Sequence, residues 1–140
     1  MRNARWEEID RGGAVWTIPT ARMKNGREHR VPLSDRALEV LDEARGLAAA
    51  GGWVFPQPRG DALHQKHLSE LMRALRVEAV PHGFRSSFRD WAAECTDAPR
   101  EVCELALAHV NTDRVEAAYR RSDLFERRRV LMAVWAAYVA

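Results

Sequence analysis

Apolar and polar positions alternate or recur along this chain with two different periods, and the change of period divides it. Ala14-Val15-Trp16-Thr17-Ile18-Pro19 is β-branched and aromatic, is bounded by Gly12-Gly13, and predicts a strand. Asn25-Gly26 is a turn signal, so Glu28 to Leu33 is expected to return as the second strand of a hairpin, with Lys24 at its turn. Ser34 is a good helix N-cap, and Leu33 and Leu38 stand where a hydrophobic staple would close over it. The helix that follows carries Leu38 and Leu41 on its apolar face and is expected to end at Gly51-Gly52. Trp53-Val54-Phe55 predicts a short third strand before the turn region from Pro56 to Gly60.

Beyond Gly60 the period is helical. Leu68, Leu71, Met72 and Leu75 fall at i, i+3, i+4 and i+7, which predicts one buried stripe. Phe84, Phe88, Trp91 and Cys95 predict another. A helix starting at Pro99 would bury Val102 and Leu105, a short one is expected around Val115–Tyr119, and a last one from Ser122 to Tyr138 presents Leu124, Leu131, Trp135 and Tyr138. The expected class is α+β, mainly α, with a small antiparallel sheet near the N-terminus.

Composition narrows this only a little. At 140 residues and 46% hydrophobic, the chain suits one domain with a core of its own. It has no apolar run of transmembrane length, and Met1-Arg2-Asn3-Ala4-Arg5-Trp6 has no signal-like h-region. Cys95 and Cys103 read as free thiols of a cytoplasmic protein. Net charge is +2, so the total says little about nucleic acid. Of the 22 basic side chains only Lys24 and Lys66 are lysine. Arginine forks suit phosphate, but codon usage accounts for the larger share of that preference.

Five polar residues interrupt this pattern. His82 and Arg85 lie three apart at a helix start, where free N–H groups and a positive dipole end favour an anion. Their plain structural reading is a helix cap and a surface ion pair. His109 precedes Val110-Asn111-Thr112, an expected helix end, where a histidine is also a simple terminal stabiliser. Tyr119 reads equally as an amphipathic tyrosine with a buried ring and a wet hydroxyl. Lys24 is a lysine kept where arginine is the rule, and lysine can release a proton where arginine cannot.

Taken in order, these residues resemble the catalytic domain of tyrosine recombinases, the phage-type integrases. Met23-Lys24-Asn25-Gly26 through Val31-Pro32-Leu33-Ser34 resembles that family's β-hairpin with its lysine. Pro81-His82-Gly83-Phe84-Arg85 resembles its HxLR-type box, with Phe84 in place of the commoner leucine. Leu107-Ala108-His109 is similar to the Leu-Gly/Ala-His element, and Ala117-Ala118-Tyr119 to the nucleophile segment. The closing run from Arg127-Arg128-Arg129 to Trp135-Ala136-Ala137-Tyr138 is similar to prophage-type integrases.

The resemblance implies that Tyr119 attacks a DNA phosphate to form a 3′-phosphotyrosyl bond. Arg85 and His109 would hold the non-bridging oxygens, Lys24 would protonate the 5′-oxygen leaving group, and His82 would accept the tyrosine proton or hydrogen-bond the phosphate. Neither ATP nor a metal or other cofactor is required. The implied partners are double-stranded DNA at attachment sites and other integrase protomers, onto which the C-terminal helix docks unless it closes its own core.

The family's first arginine lies in a Gly-x-Arg-x-x-Glu-type motif upstream of Ala4-Arg5-Trp6-Glu7-Glu8-Ile9-Asp10. The expectation is therefore a single domain over 1–140, a partial catalytic domain lacking that motif and the core-binding domain, and not competent alone. The alternative is a non-catalytic module keeping the fold to bind DNA or a partner protomer. A third reading, a metal-dependent nuclease, would use His64 and His67 with His29 or Cys95.

Overall fold

The computed structural model describes residues 2–46, 51–109 and 122–140. Three short strands form an antiparallel sheet in the order β1 (Ile9–Asp10), β2 (Val15–Ile18), β3 (His29–Pro32). The expected hairpin is β2–β3, with Val15 opposite Pro32 and Ile18 opposite His29. Its connection is longer than a tight turn, containing a 3₁₀ turn at Thr20–Arg22 and a second turn closed by the Gly26 N–H on the Met23 carbonyl, 3.0 Å. Gly26 takes a φ of 64°, a left-handed conformation that glycine adopts without a Cβ clash.

The third strand is not Trp53-Val54-Phe55. That segment makes only an isolated bridge between Trp53 and Arg5, with Val54 N–H donating to Ala4 O at 2.9 Å. Gly51 and Gly52 at positive φ precede it and Pro56 follows it, so the extended run is too short to continue a ladder. Its contribution is Val54, which is fully buried. β1 takes the place in the sheet, and two residues are too few to show a period.

Five α-helices are present among the described residues: α1 (Asp35–Arg45), α2 (His67–Ala74), α3 (Gly83–Cys95), α4 (Arg100–Ala106) and α5 (Phe125–Val139). Ser34 caps α1 as expected, its hydroxyl accepting from the Ala37 N–H at 3.3 Å. The helix ends at Arg45 with Gly46 as its C-cap, earlier than Gly51-Gly52. Leu33, Leu38 and Leu41 pack with Trp6, Trp16, Ala44 and Val54 into one apolar cluster under the sheet. A second cluster joins α3, α4 and α5 through Phe88, Trp91, Ala92, Val102, Cys103 and Leu131. Trp135 of α5 stands edge-on to Phe88 at 5.5 Å and lies 4.9 Å from Trp91, contacts that add about 0.5–1.5 kcal/mol each beyond area burial.

α5 thus closes its own domain's core. It begins at Phe125 rather than Ser122, after Leu124 has taken a φ of 50° with its N–H on the Ser122 hydroxyl. Tyr138, expected on its apolar face, is largely exposed although its ring lies 5.7 Å from those of Trp91 and Trp135.

Two expected stripes are corrected. On α2 only Met72 is buried, while Leu68, Leu71 and Leu75 are exposed. α2 is two turns long and, among the described residues, no other element packs extensively against it, so the remainder of its stripe stays outside. On α3, Phe88 and Trp91 are buried but Phe84 is 59% exposed and Cys95 is exposed. Both lie near the ends of α3, and Cys95 borders an open pocket with Val102 of α4 and Leu131 of α5 rather than packing into the core. The cysteines are free, with Cys103 buried. Among the described residues no helix is long and apolar enough to cross a membrane.

Candidate active site

α3 and α4 meet at a corner built largely by arginines on one face of α3. Arg85 and Arg89 are one turn apart and both reach α4. Arg85 Nη2 donates to the Leu107 carbonyl at 2.7 Å, and Arg89 Nε lies 3.0 Å from Glu104 Oε1. Among the described residues Arg85 shows no ion pair with a carboxylate. It is half-buried and pinned by one edge of its guanidinium, which carries further N–H donors of the kind that suit an anion.

α4 ends at Ala106, three residues before His109, in a turn that its sequence explains. Ala108 adopts a φ of 54°, its N–H donates to Leu105 O at 3.1 Å, and the His109 N–H donates to Glu104 O at 2.9 Å. This pairing satisfies the last carbonyls of the helix and needs a left-handed residue where Ala108 stands. The Gly/Ala position of the Leu-Gly/Ala-His element is thus a backbone requirement. His109 emerges exposed, two residues beyond the carbonyl that holds Arg85, with its Nδ1 2.5 Å from Glu104 Oε2.

Glu104 consequently faces Arg89, His109 and, at 3.9 Å, Arg100. Burial acts to raise its pKa, but the hydrogen bond to His109 and the charges of Arg89, His109 and Arg100 outweigh it and hold the carboxyl below its ordinary value. Glu104 and Arg89 had not been singled out in the sequence. The legible signal was Arg89 one turn after Arg85, on the same face.

His82 occupies the N-cap position of α3 without a side-chain cap bond. Its exposed ring instead borders a cleft of about 820 Å³ together with Arg2, His64 and His67. Lys24 is exposed in the β2–β3 connection. The structure brings Arg85 and His109 to one corner through Leu107, whereas among the described residues no side-chain hydrogen bond ties His82 or Lys24 to them, His82 meeting Arg85 only through its carbonyl, which accepts the Arg85 N–H at 3.1 Å. Tyr119 lies outside the described residues, as does the helix expected around Val115–Tyr119. Among the described residues no three His, Cys, Asp or Glu side chains group to hold a metal ion. The reading of His64 and His67 as metal ligands therefore finds no third partner in His29 or Cys95.

The phage integrase family model matches residues 1–124, a span that contains all five candidate positions. The chain belongs to the phage integrase family. It is 42% identical over 137 residues to the prophage integrase IntA of Escherichia coli K12, covering 95% of this chain and 33% of that protein. It is 31% identical to the integrase of enterobacteria phage P4, over 99% of this chain and 36% of the relative. The integrase of Shigella phage Sf6 matches at 27% identity, over 97% of this chain and 36% of the relative. This family member thus spans about a third of the length of those relatives. No solved structure matches it with significance.

Proposed function

We propose that this chain carries the strand-breaking chemistry of site-specific DNA recombination, as part of an integrase. The supporting observation is the Arg85–Leu107–His109 corner. It ties the Arg85 guanidinium to the main chain two residues before His109, although the two residues are 24 positions apart in the chain, within the span that matches the family.

In this reading the Tyr119 hydroxyl attacks the scissile phosphorus and its proton passes to His82. The P–O5′ bond breaks, and Lys24 delivers a proton to the departing 5′ oxygen. Arg85 and His109 stabilise the non-bridging oxygens as negative charge concentrates there. The phosphotyrosyl link conserves the bond energy, so a second 5′-hydroxyl can reverse the step and join a new strand. Double-stranded DNA and further integrase protomers are the partners, and 1–140 alone captures a reactive phosphate slowly without completing recombination. The relatives named as prophage and phage integrases support this assignment by family.

The test uses a randomised duplex pool carrying 5′-bridging phosphorothiolates, whose thiol leaving group needs no general acid. The protein is expected to form a denaturant-stable DNA adduct that Tyr119→Phe abolishes and Arg85→Ala slows by about 10²–10³. Lys24→Ala should cost activity on oxygen-linked DNA and recover it on the sulfur-linked pool. An adduct that survives Tyr119→Phe overturns the mechanism. DNA retention without any adduct from the unaltered protein would favour a binding module instead.

A further inference from the structure

We infer that Glu104 is the positioning residue of His109, fixing which ring nitrogen faces the DNA phosphate. The inference rests on the reading of His109 as a phosphate-facing group and adds a residue to it. Three observations carry it. Glu104 Oε2 is 2.5 Å from His109 Nδ1, so one nitrogen of the ring is committed to the carboxylate. The backbone of the same glutamate accepts the His109 N–H at 2.9 Å, so the main chain and the ring are referenced to one residue. Arg89 Nε holds the other carboxylate oxygen at 3.0 Å, which stops the glutamate from rotating away.

An ionised carboxylate only accepts hydrogen bonds, so the proton between the two groups belongs to Nδ1. Neutral His109 is then the Nδ1–H tautomer, opposite to the one a free imidazole prefers, and Nε2 is the nitrogen left to meet substrate. On protonation Nε2–H becomes the donor to a phosphate oxygen, while the carboxylate balances the new charge from behind. Arg85 and Arg89 act as a pair on one helix face: Arg89 holds the carboxylate that orients the ring, and Arg85 holds the carbonyl before it. The same logic orients histidines at metal sites, where loss of such an outer partner costs about 10–100-fold.

The test is ¹⁵N NMR of the histidine rings, with His109→Asn used to assign the signal, alongside adduct formation on the phosphorothiolate pool. The unaltered protein should show His109 as the Nδ1–H tautomer, and Glu104→Ala should return it to Nε2–H. Glu104→Ala should slow adduct formation about 10–100-fold. Glu104→Gln keeps an acceptor oxygen and should recover most of both readouts, which a merely structural role would not predict. An Nε2–H tautomer in the unaltered protein overturns the inference without recourse to a variant that must fold. An unchanged adduct rate in Glu104→Ala, with His109→Ala slowed, overturns it as well. If His109→Ala itself leaves the rate unchanged while the tautomer result holds, the phosphate-facing role of His109 is what fails.

Discussion

Arg128 offers the strongest single perturbation of this fold. It is 1% exposed, yet its guanidinium donates to Asp123 O at 2.8 Å, to Arg30 O at 2.6 Å and to Asp123 Oδ2 at 2.8 Å. Hydrogen bonds from a charged donor contribute about 1.5–3 kcal/mol each, but the three are not additive. Removing one partner of a buried pair costs about 3–5 kcal/mol. The low end applies, because Asp123 is partly exposed and keeps its fork with Arg30 at 2.8 and 3.0 Å. Arg128→Ala should therefore cost about 3 kcal/mol and lower Tm by about 10 °C. Arg128→Lys keeps the charge but not a planar fork that spans β3 and Asp123, and should recover less than half of the loss. The assay is urea and thermal unfolding followed by circular dichroism, with an unchanged m-value as the control for two-state behaviour. A loss below about 1 kcal/mol in Arg128→Ala would refute this account, because the buried carbonyls would then have found other partners.

Deleting everything after Arg129 removes Leu131 and Trp135 from the α3–α4–α5 core; at about 3–5 kcal/mol for each large side chain the loss rivals total stability, and far-UV circular dichroism should show an unfolded chain. Ala108→Gly relieves a left-handed alanine and should raise stability by about 1 kcal/mol in the same unfolding assay, with Arg76→Gly, at a φ of 54° after α2, gaining a similar amount. Burial and the Arg128 charge lower the His29 pKa from 6.5, so its contribution is complete above pH 6.5 and is lost as pH falls from there toward the folded value. Asp123 and Glu8 are also held below their ordinary carboxylate values, so their contributions go at lower pH; a denaturant midpoint series should show two stages of acid loss, and His29→Gln should remove the first.

What was legible in the sequence follows how local each signal is. Ser34, Leu33 and Leu38 define a cap and staple within five positions, and the structure places all three accordingly. The hairpin strands were legible because β-branched residues and a turn signal lie within twenty positions. Burial on α2 was not, because periodicity states which residues share a face and not what covers it. Leu71 and Leu75 share a face with Met72 and remain exposed. Arg128 shows the converse. It falls between Phe125 and Leu131 on the buried face of α5, and a charged residue on an apolar face was the available sign of an internal ion pair. In the sequence it had been absorbed into the closing Arg127-Arg128-Arg129 run. Of the candidate site, spacing alone did not bring Arg85 to His109. Arg85 reaches the His109 segment through the Leu107 carbonyl, a main-chain group that no side-chain motif displays.

The two latches bear on catalysis through where they fall in the chain. Glu104 and Arg89 fix His109, just before the stretch 110–121 that contains Tyr119. Asp123, held by Arg30 and Arg128, fixes the chain just after it, against β3 of the hairpin whose connection carries Lys24. In the proposed mechanism, holding His109 and Asp123 in place would contribute to rate by positioning, without touching the reacting atoms. The stability loss of Arg128→Ala and a rate loss beyond it can be separated. At a temperature where the variant is still fully folded, slower adduct formation on the sulfur-linked pool measures positioning, since neither folding nor the leaving-group proton is then limiting. An unchanged rate under those conditions would confine Arg128 to stability.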